Sequence, residues 1–113
     1  MARKNILTGN PPYPVEQAIQ RLGTNLRTAR LRRNLTIEDV AARIGTGRHA
    51  VLAAEAGKPS TSVAVYAALL WTYDLLRPME ALADPATDET GLAGVSRRER
   101  ARTDRSGALD SDF

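Results

Sequence analysis

The stretch LTIEDVAARIGTGRHAVLAAEAGKP, Leu35 to Pro59, constrains this chain more than any other. Val40, Ala41 and Ile44 share one face of a short helical pattern that stops at Gly45. Val51 and Ala54 are the inward positions of a second, which runs to about Ala56 and is closed by Gly57 and Pro59. Thr36, with Asp39 three residues on, has the form of a capping box for the first helix, and Thr46 is placed to cap the second. Only Gly45-Thr46-Gly47 stands between the two. Ala41 is small where the helices must cross closely, Gly45 allows the backbone of a tight turn, and Val51 anchors the second helix from beneath. The first turn of that second helix is then left outside. It carries Arg48 and His49, the chain's only histidine.

Around this pair the pattern is helical throughout. Val15, Ala18, Ile19, Leu22, Leu26 and Ala29 form a stripe, and Asn34 is a suitable stop because Asn tolerates a left-handed backbone. A further helix is expected from about Thr61 to Leu75, with Val65, Leu69 and Leu76 near its buried side, and a short one begins at Pro78. With 113 residues, abundant Ala, Leu and Val and few aromatics, the chain predicts an all-α fold of five helices. The expected organisation is a Pro-rich arm over 1–14, one domain over 15–85 and a flexible charged tail over 86–113. The absence of cysteine excludes disulfides and thiolate metal sites. No apolar run reaches the roughly 18 residues of a membrane span and no signal-peptide pattern opens the chain, so a cytoplasmic protein is expected. One histidine, no phosphate-cradling glycine loop and no ligand cluster imply neither enzyme, cofactor nor metal.

Charge is unevenly spread. Residues 1–34 hold seven Lys/Arg against Glu16 alone, a balance of +6; residues 35–94 hold four against eight acids, −4; residues 95–113 hold five against four, +1. Positive charge gathered at one end of a small helical protein suggests a polyanion. Two short helices on a three-residue turn are also the geometry of a helix-turn-helix, whose second helix enters the DNA major groove.

Leu35, Thr36, Glu38, Val40, Ala41, Gly45, Arg48, Val51, Glu55 and Gly57 together resemble the Xre/Cro-type helix-turn-helix family. The resemblance implies a lambda-repressor-like fold in which Arg48, His49, Ala50 and Ala53 face DNA bases, with Arg48 suited to bidentate bonding of guanine. It implies phosphate contacts from Thr36, Gly47, Lys58, Ser60 and Thr61. It also pairs Arg30 with Glu55 to fix the recognition helix. Ile37 stands where the family usually carries a phosphate-contacting Gln, Gly47 replaces a common Ser or Thr, and Ala53 leaves a base-reading position apolar.

The following segment, STSVAVYAALLWTYDLLRPMEALADPATDETGL, is similar to HipB-like antitoxins, down to Leu82-Ala83-Asp84-Pro85. That likeness implies a dimeric repressor of its own operon whose partner is a HipA-like kinase toxin, with Tyr66, Trp71 and Tyr73 available for a dimer interface. Two other readings stay open: a stand-alone or phage-type regulator without a toxin, and a toxin-binding inhibitor that binds DNA weakly.

Overall fold

The computed structural model describes residues 6–109, with side chains described from Leu7 to Thr103; the first five residues of the expected arm and the last four of the expected tail lie outside them. Among the described residues there is no strand. Seven helices follow in order: α1 (Ile6–Gly9), α2 (Tyr13–Arg32), α3 (Ile37–Ile44), α4 (Arg48–Glu55), α5 (Val63–Thr72), α6 (Arg77–Glu80) and α7 (Glu89–Leu109). None is long and apolar enough to cross a membrane. The chain divides into two compact units, residues 1–77 and 78–113.

The first unit is built by packing α4 against α2, α3 and α5, with α3 also against α5. Its core is Leu26 and Ala29 of α2, Val40 and Ala41 of α3, Val51 and Ala54 of α4, and Tyr66, Leu69 and Tyr73 of α5 and its C-terminal end. The apolar stripe of α2 is therefore used only in part. Leu26 and Ala29 are buried and Ile19 and Leu22 pack at the core's edge, while Val15 and Ala18 are exposed. Helix α2 also begins two residues before Val15. Pro14 lies in its first turn, where a fixed φ suits the helix and no amide hydrogen is required, so the proline does not extend the arm.

Four consecutive helices end in the same way. The amides of Leu35, Thr46, Lys58 and Leu75 donate back to the carbonyls of Arg30, Ala41, Ala53 and Leu70, at 3.2, 3.0, 3.0 and 2.8 Å. In each case the preceding residue is left-handed: Asn34 (φ 53°), Gly45 (72°), Gly57 (68°) and Asp74 (59°). This closure satisfies carbonyls that the helix cannot and turns the chain sharply. It explains why such short helices pack so closely in sequence.

Two expectations are corrected. Thr46 does not cap α4: the extended Gly47 (φ −82°, ψ 164°) takes the capping position, without a side-chain bond, while the Thr46 amide closes α3. Helix α5 is capped by Ser62, whose hydroxyl accepts from the Ala64 amide at 3.0 Å, so it begins later than Thr61. The charged segment after Asp88 contains α7. Asp88 stands before it, its carboxylate accepting from the Gly91 amide at 3.0 Å, and Ala, Leu, Arg and Glu favour the helix that follows.

Candidate nucleic-acid interface

The motif α3–turn–α4 is held by its own ends. Thr36 and Asp39 form a reciprocal capping box: the Asp39 amide donates to Thr36 Oγ1 at 3.0 Å and the Thr36 amide to Asp39 Oδ2 at 2.9 Å. Donation from the Thr36 amide, then from its hydroxyl, holds the Asp39 carboxyl below the usual aspartate range. Ile37, the unusual residue at the head of α3, packs against the core, so an apolar side chain there extends the scaffold.

Helix α4 is fixed from behind at two points. At its C-terminal end it meets α2 almost backbone to backbone. A Cβ on Gly23 of α2 would lie 2.5 Å from the Ala54 carbonyl oxygen and 2.8 Å from the Gly57 amide, and one on Gly57 would lie 2.5 Å from Gln20 Cα. Beside this crossing, Arg30 Nε donates to Glu55 Oε2 at 2.7 Å and Nη2 to Glu55 Oε1 at 3.0 Å, while Nη1 donates to the Leu35 carbonyl at 3.0 Å. The side chains are 10% and 6% exposed. The two residues linked by the resemblance are thus in bidentate contact, and bonding to Glu55 raises the Arg30 guanidinium above its ordinary value. One buried side chain thereby joins α2, the start of the α3 segment and the end of α4.

The outward end of α4 is different in kind. Arg48 and His49 are exposed, Ala50 and Ala53 half-buried, and no acid lies in the helix's first turn. A helix N-terminus has amides without intrahelical partners and a positive partial charge. With no side-chain cap, the amides, the Arg48 guanidinium and the His49 imidazole gather hydrogen-bonding groups at this tip, with Glu38 Oε1 3.5 Å from Arg48 Nε. Lys58 and Ser60 are exposed on the loop after α4, whereas the Thr61 hydroxyl is buried beside the Tyr66 phenol and is turned away from any surface ligand. The Thr36 hydroxyl both accepts from the Asp39 amide and donates toward the Asp39 carboxyl, so it is engaged within the capping box.

The basic excess of residues 1–34 is not all available to a ligand. Arg30 is committed to Glu55. Arg33 donates to the carbonyls of Ala29 and Tyr73 at 2.9 and 3.0 Å and lies over the Tyr73 ring, 5.4 Å from its centroid. Arg21, Arg27 and Arg32 remain exposed along α2.

The aromatics also sort differently from expectation. Tyr66 and Tyr73 are core residues, and burial pushes both phenols up. Tyr66 donates to the Lys58 carbonyl at 3.2 Å and so ties the loop after α4 to α5. Neither has surface left for a partner, and Trp71 alone of the three is exposed, at 63%.

A tight two-helix motif whose second helix exposes hydrogen-bonding groups at its N-terminal end defines a helix-turn-helix protein of the DNA-binding kind. Residues 21–83, more than half of the chain, match the family model described as a helix-turn-helix domain, and the chain belongs to that family. Comparison with curated proteins and with solved structures returned no match.

Proposed function

We propose that the protein is a sequence-specific transcriptional repressor that binds double-stranded operator DNA as a cytoplasmic homodimer, with Arg48 and His49 entering the major groove. The observation that carries this reading is the contrast between the two ends of α4. Its C-terminal end is locked to α2 by Gly23, Gly57 and the Arg30–Glu55 pair, while its N-terminal end offers exposed donors and unfilled amides. A reading helix requires both properties, because a base contact is only as selective as its positioning. Lys58 and Ser60 would meet phosphate, and Trp71 is the aromatic left for the second copy.

Within this reading we favour the antitoxin of a HipA-like kinase, repressing its own operon. The support is the likeness of the segment through Leu82-Ala83-Asp84-Pro85. Leu82 is 71% exposed and Trp71 stands outside the core, so both have surface to give to a partner.

The test is fluorescence anisotropy on DNA from upstream of the gene, against a scrambled duplex, over a salt series. Selective binding that Arg48→Ala weakens by roughly 1–3 kcal/mol supports the repressor. Equal, weak binding to both duplexes refutes it and favours the toxin-binding inhibitor.

A further inference from the structure

Resting on that reading, we propose that Glu38 is a positioning residue for Arg48, holding its guanidinium ready for a base edge and disfavouring its use on phosphate. Arg48 Nε lies 3.5 Å from Glu38 Oε1, and the pair bridges the two helices of the motif across the turn. The side chains are 58% and 66% exposed. Ion pairs this exposed add little to stability, so the contact's consequence lies in where it puts the charge.

Glu38 is the carboxylate available for that task. Of the three residues that open α3, Ile37 packs against the core and Asp39 is bound in the capping box. Helix α4 supplies no acid in its own first turn, although its first two residues are Arg48 and His49. A cation there is disfavoured by the helix's own field, and Glu38 compensates it from the neighbouring helix. Arg30 is also within the electrostatic reach of Glu38, but its guanidinium is already in bidentate contact with Glu55. Arg43 faces Asp39 further along α3.

The contact is made at Nε, the guanidinium nitrogen nearest the stem. Among the described residues no hydrogen bond engages Nη1 or Nη2 of Arg48. A long side chain is thereby restrained while its outer donors stay free for guanine O6 and N7. The carboxylate acts in the opposite direction on misplaced complexes. Where the sequence gives Arg48 no base partner, the side chain would turn to the backbone, and Glu38 then faces phosphate oxygens with like charge. Selectivity is a difference of affinities, and a repulsive group that acts only in wrong complexes enlarges it.

The experiment compares the full chain and Glu38→Gln, each with and without Arg48→Ala, by anisotropy. The probes are the duplex that the wild type selects from randomised DNA and a scrambled duplex. Glu38→Gln should lower the ratio of the two affinities by about tenfold, partly through tighter binding to the scrambled duplex. In the Arg48→Ala background it should leave the ratio within about a factor of two, since the effect passes through Arg48. Thermal midpoints of the free proteins show whether folding is the cause. An unchanged ratio in an otherwise selective wild type overturns the role of Glu38 alone, and so does an equal fall in both backgrounds. A wild type that selects no duplex overturns the repressor reading and this one with it.

Discussion

Gly23→Ala should destabilise the protein although it improves a helix. In the middle of α2 the change removes a glycine, which by itself is worth about 0.5–1 kcal/mol in favour of alanine. The structure sets a larger penalty against that gain. The new Cβ would stand 2.5, 2.7 and 2.8 Å from the Ala54 oxygen, the Glu55 oxygen and the Gly57 nitrogen, where ordinary contact begins at 3.4 Å. All three atoms are backbone, so the end of α4 must retreat from α2 by about 0.9 Å, the difference between 3.4 and 2.5 Å. Overpacking of this kind costs roughly 1–3 kcal/mol. A retreat of that size also stretches the Arg30–Glu55 bonds, and charge-assisted hydrogen bonds carry about 1.5–3 kcal/mol each. The net expectation is a loss of about 2–4 kcal/mol. At about 4–8 °C per kcal/mol for a domain of this size, Tm should fall by at least about 8 °C. Far-UV circular dichroism melts and urea titrations read the change. Gly94→Ala in α7, where the nearest atom is Arg98 Nη1 at 3.7 Å, is the control and should not lower the midpoint. A Tm for Gly23→Ala equal to or above that of the wild type would refute the backbone crossing.

The remaining predictions concern the polar groups behind the motif. Arg30→Met should cost about 3–5 kcal/mol in urea titrations by stranding a buried Glu55, whereas Arg30→Met with Glu55→Leu should recover most of that loss; a double variant as unstable as the single one contradicts the pairing. Tyr73→Phe should be neutral or stabilising, since the buried Tyr73 hydroxyl has no hydrogen-bond partner among the described residues, while Tyr66→Phe should lose about 0.5–1.5 kcal/mol with its bond to the Lys58 carbonyl. Melts that reverse this order would count against both assignments. Because the Asp39 carboxyl is held below its usual value of 3.8, its support of α3 is present at neutral pH and disappears as pH falls through and below that value. The difference in urea midpoint between wild type and Asp39→Ala should therefore shrink on acidification, and a difference independent of pH would be inconsistent with the capping box.

What could be read from the sequence was what is encoded locally. The extent of α3, its capping box and the glycine stops depend on residues within one turn of each other, and Asn34, Gly45 and Gly57 all sit where a left-handed residue closes a helix. Asp74 makes the same closure with a residue type less marked for it. Thr46 misled because threonine is a common cap and nothing local marks which residue of the turn stands next to α4, a place taken by Gly47. Helix α7 was not marked by any apolar stripe; what forms it locally is Asp88 at its head and good helix formers behind it. The aromatics could have been sorted. Tyr66 and Tyr73 lie three before and four after the core residue Leu69, on one helical stripe with it, while Trp71 lies two after and falls on another face.

The candidate site was legible only as far as its outward residues. Arg48 and His49 stand out because a first helical turn rarely places cations where its own field opposes them. The groups that hold their helix in place are distant in sequence and carry no local mark. Gly23 reads as a weak point in a helix until Ala54 and Gly57 are brought against it. Arg30 and Arg33 read as surface charge until one reaches Glu55 and the other covers Tyr73. Net charge is for that reason a poor guide to the interface here, since part of the basic excess in residues 1–34 serves to hold helices together. The part of the charge that bears on DNA is better located by asking which cations have no structural partner to lose. Among the described residues Arg21, Arg27, Arg32 and Lys58 meet that condition outright, and Arg48 comes close to it: its ion pair with Glu38 is exposed and long, adds little to stability and leaves the outer guanidinium donors free.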